Sequence, residues 1–405
     1  MHIALRWRAW HGDESVGLEF PAHYAVAVYP PNDGPDIGVE GIQRAFANPI
    51  GSPRIAELAR GKKTAIIAVD DIARPTPASR IVPSIIGELH EAGIPDGRIR
   101  FLMAVGCHRA MTRSEMARKL GEDAVRTYQV LNHHPYEYIV RLGHTSRGTP
   151  VDVNRHFAEA EARIGVGQIS PHGGPGWSGG AKIVLPAVAG IESIVANHKP
   201  NGLKGGLTVI DGNEWRADME EAARLAGLDA IVNVVVNSDR GIAGVFVGDV
   251  VAAHRQGVAR AWDVMSTPLP SELVDIGVFN QYPKDTEFMH LGHALHVFNS
   301  APRPILKAGG TMVLISASSD GFGVHSLEAP YMRHGPTGPR PIFEPFRVVV
   351  MCPNINRAEL PPSLPGTTRL VPDWAGVLAA LGEYHPRGGT VAVFPCGAIQ
   401  VAAGG

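Results

Sequence analysis

The sequence predicts an α/β protein: two α/β domains with largely parallel sheets and an active site in the cleft between them. Short runs rich in Val and Ile alternate with longer stretches of helical periodicity, the order in which parallel strands and their crossover helices follow one another. At 405 residues the chain exceeds one ordinary core, which points to two domains. Polar residues also gather directly behind several apolar runs, where open α/β sheets place their ligand crevice.

Taken in order, KKTAIIAVDD (62–71) reads as a strand entering a polar loop, and SRIVPSIIGELHEAG (79–93) as the helix after it, with proline in its first turns. RIRFLMAVGCHR (98–109) repeats the strand-then-polar-loop pattern, and MTRSEMARKLG (111–121) is the next helix. RLGHTSRGTPVDVN (141–154) suggests a hairpin, and ARIGVGQIS (162–170) a strand running into the glycine-rich PHGGPGWSGGAKIVLP (171–186). DAIVNVVVNSDRGIAGVFVGD (229–249) reads as two strands joined by a turn, and VVAAHRQGVARAW (250–262) as a helix. The proline-containing STPLPSE (266–272) is the expected linker, dividing an N-terminal cofactor-binding domain, 1–265, from a C-terminal α/β domain, 272–405. Beyond it, strands are expected in ELVDIGVFNQ, GTMVLISAS, FRVVVMCP and GTVAVFPCG, and helices in DTEFMHLGHALHVF (285–298) and DWAGVLAALGEYH (373–385).

Composition narrows the function classes. A formal charge of −2 and a pI of about 6.8 disfavour nucleic acid as a partner, since polyanion binders carry a basic surplus on one face. Cys107, Cys352 and Cys396 are few, odd in number and widely spaced, so neither a disulfide framework nor a CxxC zinc site is expected. The start lacks the apolar core of a signal peptide, and no run of about 18 apolar residues occurs, so a cytoplasmic protein without a membrane span is expected. No GxGxxG follows a strand with an acidic residue about 20 positions on, which disfavours a nicotinamide dehydrogenase.

Three polar loops carry the chemistry. Asp70, Asp71 and Arg74 follow the first strand, and His108 and Arg109 the second. The glycine stretch holds His172 and Lys182, with His198 sixteen residues beyond the lysine. The stretch is no P-loop: Ala181 separates Gly180 from Lys182, and Ile183 stands where the magnesium-binding hydroxyl belongs. Its glycines, Gly179 and Gly180 beside Ser178 among them, are read as bringing backbone amides close to an anionic ligand at a helix N-terminus. At the start of that helix Lys182 is a candidate nucleophile, with a plain phosphate counter-ion as the alternative. His108 and His172 on separate loops suit a reaction needing proton transfer on two faces. His198 alone cannot surround a metal, so an organic ligand would supply the remaining donors.

At AFANPIGSP, DDIARPTP, GCHR, the block from ISPHGGPGWSGGAKIVLPAVAG to NHK, and VFPCGAIQ, the chain resembles the nickel-pincer-nucleotide-dependent lactate racemases. The resemblance implies a nickel-pincer nucleotide carried covalently by Lys182, with His198 as the protein ligand to nickel. It implies His108 and His172 as acid/bases, Asp71 and Arg74 at the nucleotide, Ser178, Gly179 and Gly180 around it, and Trp374 near the cofactor. Arg109, His290 and His293 are the residues expected to meet a small-molecule 2-hydroxy acid. Two departures stand out. The family's DxTR reads Asp71-Ile72-Ala73-Arg74 here, without the threonine, and its substrate-contacting glutamine and lysine are replaced by His290 and His293. The expected activity is therefore an isomerase: a racemase or epimerase of a 2-hydroxy acid other than lactate, such as a sugar acid. The alternative is a cofactor-binding protein that has lost turnover.

Overall fold

The computed structural model describes residues 1–198, 203–328 and 338–404. Twelve strands build two large sheets. In chain order they are β1 (Tyr24–Val28), β2 (Ala65–Asp70), β3 (Ile99–Ala104), β4 (Gln129–Asn132), β5 (Ala162–Gln168), β6 (Ala230–Val236), β7 (Ile242–Gly248), β8 (Val274–Asn280), β9 (Leu306–Ile315), β10 (Arg347–Met351), β11 (Arg369–Val371) and β12 (Gly389–Phe394). The helices used below are α1 (Val82–Glu91), α2 (Arg113–Leu120), α3 (Ile191–His198), α4 (Glu214–Leu225), α5 (Ala252–Met265) and α6 (Trp374–Tyr384).

Contacts divide the chain into two units. The larger contains Gly34–Val264 and the short stretch His325–Leu327; the smaller contains Met1–Asp33, Met265–Val324 and Glu328–Gly405. The sequence expectation of one division near the 266–272 linker puts residues 1–33 with the first domain. They group instead with the C-terminal chain, because β1 pairs with β12 in parallel register, Tyr24 opposite Gly389.

In the larger unit the strand order is β7-β6-β5-β2-β3-β4, with every neighbouring pair parallel except the hairpin β6/β7. β2 and β6 are almost wholly buried along their length, as strands covered on both faces must be, which explains their unbroken apolar sequences. From β2 the chain steps to β3 and β4 on one side, while β5 and β6 lie on the other. Strand order therefore reverses beside β2, the topological switch point where α/β sheets leave a crevice.

The smaller unit carries six parallel strands in the order β11-β10-β9-β8-β12-β1. Alternate residues separate into two apolar clusters, as the period-2 geometry of strands requires. Ile276, Val278, Val313, Ile315 and Val393 face one cluster with α6 and the hairpin of His2–Trp7 with Glu14–Glu19; Phe279, Met312, Leu314, Val350 and Phe394 face the other. One expected helix differs: within 285–298 the structure forms a 3-10 helix over Phe288–Leu295 followed by a single turn, His296–Asn299. Among the described residues no helix is long and apolar enough to cross a membrane.

Candidate active site

The three polar loops leave β2, β3 and β5, which are adjacent parallel strands, so the sheet gathers them at one edge of the larger unit. Behind β2 and β3, Asp71 and His108 form a buried pair with Nδ1 2.8 Å from Oδ2. Burial raises the Asp71 carboxyl, but the charges of His108, Arg74 and Lys119 outweigh it and hold the group well below the usual carboxylate range. The other Asp71 oxygen accepts the Ala73 amide at 2.9 Å, which fixes the carboxylate plane. With Nδ1 held, Nε2 is the His108 atom able to exchange a proton with a ligand, the arrangement of an oriented acid/base imidazole.

Lys119 supports this corner, although its sequence, inside an ordinary helix, gave no sign of it. Fully buried on α2, its ammonium lies 2.8 Å from Asp70 Oδ1 and donates at 2.8 Å to the carbonyls of Asp71 and Arg74. One cation thus closes the loop that carries both residues expected at the nucleotide.

The glycine stretch departs from its sequence reading. No α-helix begins there; Gly180–Ile183 is a single 3-10 turn, and the helix α3 starts only at Ile191. Nor is it a row of open amides. The N–H groups of Trp177, Ser178, Gly180 and Lys182 bond to Pro175 O, Ser170 O, Asn233 Oδ1 and Gly179 O. The carbonyls are equally held: Arg216 donates to those of Pro175, Trp177 and Gly179, and His254 Nε2 to that of Ser178 at 2.9 Å. Burial pushes Arg216 down to about 9 and, together with the Arg216 charge, His254 well below its ordinary value. Both lie on helices distant in sequence, α4 and α5, so only the fold reveals them. Glycine is required where the loop turns: Gly176 has φ +78° and any Cβ would collide with the Val209 carbonyl, and Gly179 has φ +76° against Asn233. The hydroxyl of Ser178 bonds within the protein, to Gln168 O and Ser170.

What this scaffold presents is side chains. His172 and Lys182 meet with Nε2 and Nζ 3.3 Å apart. The Gly174 amide lies 3.3 Å from His172 Nδ1 and steadies the ring. His198, the last residue of α3, has Nδ1 3.0 Å from the Ile194 carbonyl, so Nδ1 donates and Nε2 keeps its lone pair, as in metal-bound imidazoles. Its ring lies 5.9 Å from that of Trp215 on α4, which also stands against Gly174. A further histidine joins the group: His325 is bridged to His108 in antiparallel fashion, with ring centroids 5.1 Å apart.

These residues fit a cofactor held covalently by Lys182 and through a metal by His198, since one imidazole lone pair and one amine are offered where buried charges already organise the loops.

Other expected residues sit elsewhere or are otherwise engaged. The Arg109 guanidinium pairs through two nitrogens with Glu115, at 3.0 and 2.6 Å, and Glu115 is the carboxylate of the capping box that starts α2. The guanidinium expected at the substrate is thus also tied to the helix start. Trp374 opens α6 inside the smaller unit's core, edge-on to Phe20 at 4.9 Å, and its indole N–H donates to Glu19 O at 2.8 Å. The ring of the residue expected near the cofactor packs in this core, and its one donor is used there. His290 and His293 stack at 5.1 Å and 7°, with His296 next in the row. The 3-10 helix explains the alignment, since three residues per turn eclipse positions i and i+3. His296 is buried with Nδ1 3.1 Å from Ala398 O, and burial, aided by the Lys284 charge, pushes it down to about 3.

A family profile described as the lactate racemase N-terminal domain matches residues 11–204. The lactate racemase of Lactiplantibacillus plantarum is 35% identical over 289 residues, 70% of this chain and 67% of that protein. The chain belongs to the lactate racemase family. The lactate racemase of Thermoanaerobacterium thermosaccharolyticum is 30% identical over 287 residues, covering 70% of this chain and 66% of its own. In fold, the lactate racemase apoprotein from that organism superposes with a TM-score of 0.76 at 23% identity, covering 99% of this chain and 100% of its own. A protein from Thermotoga maritima gives 0.63 at 16% identity, covering 84% and 93%. Family membership makes the chain an isomerase of the racemase class.

Proposed function

We propose that this protein racemises or epimerises a 2-hydroxy acid with two histidines as alternating acid and base. The observation that carries the proposal is the pairing of His108 with a buried carboxylate, next to the strand whose following loop presents His172 and Lys182. When bound, a nickel-pincer nucleotide supplies reversible acceptance of the Cα hydride. Lys182 would hold it through its amine and His198 through Nε2, with Asp71 and Arg74 placed for its nucleotide part.

The rest is the work of this chain's residues. His108, held by Asp71 through Nδ1, takes the 2-hydroxyl proton of one enantiomer, and once the substrate carbon has inverted His172 gives a proton to the oxygen. For the other enantiomer the roles exchange, with His172 as base and His108 as acid. Each direction uses one imidazole as base and the other as acid, so loss of either slows both. His290 and His293 are the smaller unit's candidates for substrate contact. Where the family presents an amide and a fixed cation, this chain presents two imidazoles, which favours an acid other than lactate, such as a polyhydroxylated sugar acid. The test is a panel of enantiopure 2-hydroxy acids incubated with protein made in a host that synthesises the cofactor, followed by chiral chromatography. Inversion of lactate in preference to every larger acid overturns the substrate reading, and no inversion of any acid overturns the function.

A further inference from the structure

His325 is absent from every motif in the sequence, yet three contacts place it beside the proposed base. Its backbone forms an antiparallel bridge with His108, and the next amide, Ser326 N, donates to the Cys107 carbonyl at 2.9 Å. Residues directly opposite each other in an antiparallel pair project their side chains to the same side. The two rings accordingly lie 5.1 Å apart, tilted by 55°. Whatever meets the His108 ring therefore lies within reach of the His325 ring.

The tautomer of His325 is also settled. The Leu327 amide lies 3.3 Å from His325 Nδ1, and a backbone N–H can only donate, so Nδ1 is an acceptor and carries no hydrogen. Burial above all pushes the imidazole down to about 3 and keeps the ring neutral. A neutral ring with an occupied Nδ1 has one hydrogen, on Nε2. His325 is thus a fixed single donor beside a residue that exchanges a proton. A neutral imidazole is a better partner for a polarised oxygen here than a charged one, because it cannot release its proton to the substrate at neutral pH.

We infer that His325 is a substrate-contact residue, donating from Nε2–H to an oxygen of the hydroxy acid while His108 handles the hydroxyl proton. This rests on the function proposed above. It assigns the larger unit a neutral donor for the substrate, separate from the two histidines that titrate in the reaction.

The experiment compares His325→Phe, which keeps an aromatic ring but removes the donor, with His325→Gln, which keeps an N–H near the Nε2 position. Both are made in the cofactor-synthesising host and assayed with the acid that the wild type inverts. His325→Phe is expected to lower kcat/KM by about 10- to 100-fold, the effect of losing one hydrogen bond to a polarised or charged group. His325→Gln is expected to recover most of the loss, and both variants to keep the wild-type Tm and nickel content. Wild-type kinetics in His325→Phe overturn the inference. Equal losses in the two variants, or a loss that follows a fall in Tm or nickel content, overturn it as well by assigning the ring to packing. If the wild type inverts no acid in the panel, the proposed function fails first and this inference with it.

Discussion

Replacing Asp71 with asparagine tests the proposed base most directly, because the structure dictates how the new side chain must sit. Asp71 Oδ1 accepts the Ala73 amide at 2.9 Å, and this contact requires an oxygen. The introduced asparagine would therefore keep its carbonyl there and turn its NH2 group toward His108, at the place Oδ2 now holds 2.8 Å from Nδ1. An amide N–H facing Nδ1 forces the ring hydrogen onto Nε2, where a proton acceptor is needed. The variant keeps its packing and loses the base. A positioned general base contributes about 10² to 10⁴ in rate, or about 2.7–5.5 kcal/mol of activation free energy, and kcat should fall within that range in both directions. KM should change little, since the imidazole stays in place. Stability gives a second readout. Asp71 has a depressed folded pKa, so its contribution is fully present above the unfolded value of about 3.9 and is lost as pH falls through the folded one. As pH falls below about 4, the stability difference between wild type and Asp71→Asn should shrink as the carboxylate is protonated. Chiral chromatography and urea titrations at several pH values measure both effects. A variant with wild-type kcat would refute the assignment of His108 as an oriented base.

Lys119→Met should destabilise the larger unit by about 3–5 kcal/mol in urea titration, because it leaves the half-buried Asp70 carboxylate and two carbonyls without their shared, fully buried cation. Trp374→Ala should cost about 3–5 kcal/mol of stability, yet leave turnover per folded molecule unchanged, which separates a core tryptophan from a cofactor contact. His198→Ala should lower nickel per chain, measured by inductively coupled plasma mass spectrometry, without lowering Tm; wild-type nickel content would remove His198 from the metal site.

Much of the candidate site was visible in the chain itself because its signals are local. An apolar run such as AIIAVD can hardly be anything but a strand when polar loops bound it, and Asp71, His108 and His172 announce themselves as polar residues directly behind such runs. A reading of this kind gives which segments are strands and which loops carry chemistry. It missed what local pattern does not encode. An i, i+3 row of histidines fits α and 3-10 geometry alike, so only the hydrogen-bond register showed that His290, His293 and His296 eclipse. The glycine stretch read as open amides because its partners, Asn233, Arg216 and His254, belong to later elements. Tertiary structure alone set β5 and β3 on either side of β2, turning three separate loops into one edge, and it alone paired His325 with His108 and buried Lys119 beneath Asp71 and Arg74. The physical reason is one of range. Strand and turn preferences act over a few residues, whereas the partner of a buried charge or an amide is whatever the packed chain brings within about 3 Å, at any distance along the sequence.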